Sequence, residues 1–310
     1  MAALRYEDLF KAGEKATNSL VVSTEKELIR EYKLSLDAIR NDLAQIYAKY
    51  AQGDTLTYAE MTKYNRLASL SDEINSELKK LHSRTSSHLI RLSGDVYEES
   101  FFRTAYAIEA GGGPGGMVAV NWGKLAPEVI SASVQNPISG LKLSERLEAS
   151  RAQIVTKIRQ EVTQSLIQGE SYPKMANRIK DSLDGDATKA MRVARTEGHR
   201  VSQEGRSECI DRAEDRGVEL QRVWSAALDD RTRDTHGAMD GQVADKDGYF
   251  HSPSGGKAQH PGGFGIPEED INCRCVIRAE VLGFSPKVRR VRGEGEVPYK
   301  TYEEWKKARL

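Results

Sequence analysis

Apolar residues recur in the first third of the chain at alternating intervals of three and four: Ile29, Tyr32, Leu36, Ile39, Leu43, Ile46 and Tyr50. That is the a/d spacing of a coiled-coil seam, and it predicts a long helix. The sequence AQGDT at 51–55 breaks the pattern. Thr57 and Glu60 are spaced as a capping box for a second helix. Its broad apolar face carries Met61, Tyr64, Leu67, Leu70, Ile74, Leu78 and Leu81. Two segments of similar length joined by a short Gly-Asp turn predict an antiparallel helical hairpin. The pattern leaves open whether the seams pack only on each other or also present a face to a partner protein.

The helical layer ends near Ala110, where GGGPGG at 111–116 predicts a flexible joint. A phosphate-cradling loop would need a strand before it and a helix after it, and neither pattern is present. From Val129 the helical period resumes. Leu143, Leu147, Ile154, Ile158, Val162 and Leu166 share one face, and Gly169 is placed to end that helix. Ser171 and Pro173 open another helix. The run from Asp186 predicts a third, ending near Gly217. The character then changes. VELQRVWSAA reads as a strand, led by Val218, Leu220, Val223 and Trp224. Two Asp-Gly turns in MDGQVADKDGYF flank a short strand-like piece. CRCVIRAEVL reads as a closing strand.

The expected fold class is α+β. A helical hairpin occupies 1–110, a Gly-rich linker 111–128 and a helical region 129–216; a small α+β module fills 217–282 and a flexible tail 283–310. In the tail, Thr301 and Glu304 would cap a short last helix bearing Tyr302 and Trp305, aromatic types that serve as interface anchors.

Composition narrows the function classes. Lys plus Arg and Asp plus Glu each number 46, so the net charge is zero. A surface built to wrap nucleic acid is usually strongly basic. Three cysteines are too few and odd for a secreted disulfide framework. The N-terminus lacks an apolar signal core, and no stretch approaches the roughly 20 apolar residues of a membrane span, so no membrane partner is expected.

Cys273 and Cys275 are separated by one residue. On extended backbone, residues i and i+2 face one side, so both thiols point together and Arg274 points away. Two such thiolates need about two more ligands for tetrahedral zinc. The bland alternative is a pair of small buried hydrophobes, the reading also given to Cys209. Arg192, Arg195, Glu197, His199 and Arg200 form a charged helix segment. It reads either as a face for phosphates or an acidic partner, or as an Arg195–Glu197 network internal to the fold.

Several segments occur in a telling order: MRVARTEGHRV at 191–201, RVWSAALDDRTRDTHGAMDGQV at 222–243, FHSPSG at 250–255 and INCRC at 271–275. Together they resemble the phage Mu F-type minor head, or head-morphogenesis, protein family over about residues 140–280. The resemblance implies a non-enzymatic virion component in the capsid interior at the portal, with the host cytoplasm as its place of assembly. It implies the portal protein as partner, with scaffolding or major capsid protein and packaged DNA as further ones, and a part in DNA packaging or ejection. Some relatives carry toxin domains, for which the about 35 residues after Cys275 are too few.

In many relatives a Cys-x-x-Cys precedes the Asp-Gly turn, and a His lies three before the Cys-x-Cys. Here His236 stands at the second upstream cysteine, Arg233 at the first, and Asp270 at the histidine. The implied ligand set for a structural Zn2+ is His236, Asp270, Cys273 and Cys275, with His260 as a substitute. Hydrogen bonds from Asp270, Asn272 and His236 in place of a metal are the alternative. Rival functions are a zinc-dependent hydrolase or effector delivered with the genome, and a DNA-contacting ejection protein. For the hydrolase, Asp234 or Glu269 would be the base, with nothing in the sequence to fix its geometry.

Overall fold

The computed structural model describes residues 6–110, 122, 125–135, 142–227, 229–281, 288–291 and 295–298. The Gly-rich joint at 111–116 and the terminal helix with Tyr302 and Trp305 lie outside the described residues. The fold class is α+β: long helices, then a small module of antiparallel strands. Three helices exceed forty residues: α1 (Tyr6–Tyr50, 45 residues), α3 (Arg66–Ala110, 45 residues) and α6 (Tyr172–Glu214, 43 residues). Between them lie α2 (Tyr58–Thr62), α4 (Pro127–Gln135) and α5 (Leu143–Ile167). No helix among the described residues is long and apolar enough to cross a membrane.

The chain forms two compact units, each assembled from separate stretches. One comprises residues 22–91 and 141–194 and is helical. Here α1 and α3 run antiparallel: Ser35 donates to Glu77 at 2.7 Å, Arg84 pairs with Glu31 at 2.7 Å, and Arg91 pairs with Glu27 at 2.5 Å. The seam follows the sequence reading at Tyr32, Leu36, Ile39 and Leu43, all buried, and departs from it at the ends. Leu28, Ile39 and Leu43 are buried, whereas Ile29 is 51% exposed, and Tyr47 is buried where Ile46 and Tyr50 are only partly so. Thr24, Glu31 and Ser35 also lie in the seam. A hydrophobic template passes over such positions, because their burial depends on partners supplied by another helix.

Thr57 caps α2 by accepting from the Glu60 amide. The Glu60 carboxylate serves Lys63 and Arg66 instead of closing the box. In α5, the six apolar positions read from the sequence are all buried. The two helices expected between Ser171 and Gly217 are one continuous α6. Its Asp186 is buried and occupied: Tyr32 donates to Oδ2 at 2.7 Å and Ser150 to Oδ1 at 3.2 Å. That pairing offsets the cost of about 1 kcal/mol expected for Gly185 within a helix.

The other unit comprises residues 1–21, 92–140 and 195–310. Strand β1 (Leu220–Ser225) pairs antiparallel with β4 (Val276–Val281), with Trp224 opposite Ile277. On its other side β1 bonds to 241–244, the strand-like piece between the two Asp-Gly turns: Trp224 N donates to Gln242 O, and Ala244 N to Arg222 O. Short pieces β2 (Phe250–His251) and β3 (Lys257–Ala258) pair with each other, and one-turn helices α7 (Asp234–Ala238) and α8 (Pro267–Asp270) sit in the connecting loops. Within the expected tail, β5 (Val288–Val291) and β6 (Gly295–Pro298) form an antiparallel pair.

The core of this unit gathers Leu9, Phe10, Ile210, Trp224, Met239, Phe250, Cys273, Cys275 and Ile277. Cys209 packs in a second cluster with Phe101 and Ile108. A Cβ at Gly205 would stand 2.6 Å from the Tyr97 carbonyl oxygen, so α6 and α3 touch backbone to backbone there. The same stretch of α6 docks the closing strand: Gln203 accepts from Ile277 N at 3.0 Å, and Arg206 donates to Ile277 O at 2.8 Å. The charged segment on α6 is therefore partly interior. Glu197 and Arg200 pair at 3.1 Å while 1% and 3% exposed, and Arg200 also reaches Glu204 and the Ser133 carbonyl. Arg200 joins Glu197 in an internal network.

Candidate metal centre

Three chain segments bring side-chain donors to one point in the module. The first is α7, which carries His236 at its centre. Its flanking Arg233 donates to the Ile271 carbonyl and ties α7 to the loop bearing the cysteines. The second is that loop. Asn272 takes a left-handed φ of 57°, a conformation Asn tolerates better than most residues. The kink follows α8, and Cys273 N donates to Asp270 O. The third is the start of β4, which fixes Cys275. Arg274 faces away from the thiols and forms a bidentate pair with Asp229, holding that carboxyl down to about 2.

His236 Nδ1 lies 3.5 Å from Cys273 Sγ and 3.4 Å from Cys275 Sγ. All three ligand atoms fall within 4.8 Å of one another, and all three residues are buried. A tetrahedral zinc ion with bonds of about 2.3 Å to sulfur and about 2.0–2.1 Å to nitrogen separates sulfur from nitrogen by about 3.6 Å. The donors thus stand at the spacing such an ion needs, and the residues fit it.

The electrostatics agree with the geometry. The hydrogen bond from Cys273, then His236, pull the Cys275 thiol down to about 5 against the opposing effect of burial. The same sulfur–sulfur hydrogen bond, with burial, pushes Cys273 well up. Burial would lower His236, but the hydrogen bond and charge of Cys275, with Glu269, raise it. On the opposite edge of the ring, His236 Nε2 lies 2.7 Å from Glu269 Oε2, an ion-pair contact bent away from ideal hydrogen-bond geometry.

Two residues of the expected ligand set are placed elsewhere. Asp270 is buried, but its oxygens accept from Phe264 N at 3.1 Å and Gly265 N at 2.7 Å. It fastens the 264–266 loop and is absent from the donor group. His260 faces its own loop, with Nδ1 3.1 Å from the Pro261 carbonyl. Arg233, which occupies the first upstream position without being able to ligate, is a structural tie. Sequence reasoning places Glu269 only in a hydrolase role, and connects His199 with no part of the site. His199 bonds to the Cys275 backbone; burial, then the Arg206 charge, hold its pKa down to about 3. The available signal for Glu269 is an acidic side chain one turn before the cysteines, with hydroxyl-rich FHSPSG at the right distance to brace it.

A family model described as Phage Mu protein F like protein matches residues 156–278, a span that contains α6, β1, the first half of β4 and the three donors. The chain is 33% identical over 300 residues to the minor head protein GP7 of Bacillus phage SPP1, covering 95% of each chain. It is 28% identical over 283 residues to the NAD(+)–arginine ADP-ribosyltransferase EFV of Enterococcus faecalis, covering 91% of this chain and 56% of that protein. No solved structure matches.

Proposed function

Because this chain belongs to the phage Mu F-like head-morphogenesis family, we propose that it is a minor head protein, a structural component of the virion held in the capsid interior at the portal. The observation that carries this reading is the 33% identity running through 95% of both this chain and a protein named for that role. The similarity to the ADP-ribosyltransferase takes in 56% of that protein. We read that shared stretch as the head module and assign the chain no transferase activity.

The module's own residues support a structural rather than catalytic site. Catalytic zinc keeps an open, reachable position, whereas Cys273, Cys275 and His236 are 4%, 2% and 1% exposed. A bound Zn2+ would supply a cross-link between α7 and the cysteine loop in a unit with few strands. Small loop-rich units commonly rely on such a staple. His236, Cys273 and Cys275 would hold it.

The test is protease protection in purified heads. The chain is expected in intact heads, resistant to added protease, and degraded once the heads are opened. Absence from heads, or digestion in intact ones, would overturn the interior assignment.

A further inference from the structure

Glu269 has a role that neither the cysteine motif nor the comparisons assign. It is 4% exposed, an unusual place for a carboxylate. Both of its oxygens are engaged. Oε1 accepts from Ser254 Oγ at 2.6 Å and from Ser252 Oγ at 3.1 Å. Oε2 accepts from Thr235 Oγ1 at 3.2 Å and faces His236 Nε2 at 2.7 Å. Three hydroxyls from two different segments therefore aim one carboxylate at one edge of one imidazole.

That edge is the one turned away from the sulfurs. With Nε2 facing a carboxylate, the proton of the neutral ring belongs on Nε2, and Nδ1 keeps its lone pair toward Cys273 and Cys275. Metal-bound histidines generally donate their other ring N–H to a carboxylate or carbonyl, which fixes the tautomer and raises the ligand's basicity. Building on the metal reading of this site, we propose that Glu269, braced by Thr235, Ser252 and Ser254, is the positioning residue that presents His236 to a borderline-soft divalent cation through Nδ1. The two serines of the FHSPSG segment serve this arrangement by holding the carboxylate in place. Two sulfurs and one imidazole select Zn2+ or Co2+ over Mg2+ and Ca2+, which take oxygen ligands.

The experiment is competition of the full chain against a chromophoric chelator for Zn2+, with Co2+ absorption spectra on the same proteins. Glu269→Ala is expected to weaken Zn2+ binding about 10- to 100-fold. Its sulfur-to-Co2+ charge-transfer band should persist while the ligand-field bands change. Glu269→Gln, which keeps an acceptor for Nε2–H, should recover most of the affinity, a rescue that a packing role would not produce. If Glu269→Ala fails to fold, Ser254→Ala takes its place, with a several-fold loss expected. Wild-type affinity and an unchanged Co2+ spectrum in a folded Glu269→Ala or Ser254→Ala protein would overturn the role of Glu269 while leaving the metal site standing. A wild-type chain that binds neither ion would overturn the metal reading itself, and this role with it.

Discussion

Cys275→Ser is expected to abolish stoichiometric Zn2+ binding and to remove the metal dependence of the module's stability. The Cys275 sulfur lies 3.4 Å from His236 Nδ1, and the hydrogen bond from Cys273 holds its thiol down to about 5. A serine hydroxyl stays protonated near neutral pH and is a poor zinc ligand beside thiolate and imidazole. It would also be a polar group introduced at a position only 2% exposed. An ion that binds only the folded state stabilises it by about 4 kcal/mol when its free concentration is about 1,000 times Kd. The wild-type chain should therefore melt at a higher temperature with Zn2+ than with a chelator, and Cys275→Ser at the same temperature in both. The measurement is differential scanning calorimetry with zinc content determined on each sample. An unchanged zinc stoichiometry in the variant would remove Cys275 from the site.

Trp224→Ala should be the most damaging single change in the sheet, at about 3–5 kcal/mol. The indole is fully buried and stacks edge-on against His236 at 5.4 Å, Phe250 at 5.4 Å and Phe264 at 5.9 Å. Its Nε1 has no hydrogen-bond partner among the described residues, so the loss is chiefly one of packing. Aromatic pairs of this kind add to the burial energy. The backbone at Trp224 exchanges bonds with Gly241 and Gln242, so a cavity here also loosens the Asp-Gly turn that follows α7. Urea titration should show the lower midpoint, and Trp224→Phe should restore more than half of the loss. A loss of unfolding free energy below about 1 kcal/mol would mean that the module's core lies elsewhere.

How far the sequence discloses this molecule depends on whether a residue's role is local. The α5 face is legible because an amphipathic helix writes its burial as a period, and Gly169 marks its end with a φ of 61°. The strand at Trp224 and the closing strand after Cys275 are legible through their β-branched and aromatic content. The continuous α6 is not, because Gly185 looks like a break until Tyr32 and Ser150 are seen to occupy Asp186. The α1 seam departs from its hydrophobic period for a related reason. Its polar members Glu31 and Ser35 are buried by partners on α3, out of reach of any one-helix pattern.

The candidate metal centre divides in the same way. Cys273 and Cys275 announce themselves by spacing, whereas His236 comes into view only through the family resemblance, at the second of the two positions before the Asp-Gly turn. Asp270 has the right chemistry for a ligand, but a buried carboxylate goes to whichever donors reach it first. Here those are the amides of Phe264 and Gly265, six and five residues back. Glu269, its neighbour, points to the other side and finds the histidine. Adjacent positions on a one-turn helix diverge by about 100°, and nothing in the local sequence says which of the two carboxylates faces the ring.

Attachment at the portal is the property that most directly separates a head component from a freely acting effector. The deciding measurement is co-purification of the tagged full chain with the portal protein of its own phage, with zinc determined on the eluted complex. Stable co-elution, with one equivalent of zinc that resists exchange, is the predicted result. Failure to bind the portal, together with zinc that exchanges freely at a reachable position, would contradict both the head assignment and the structural reading of the metal centre.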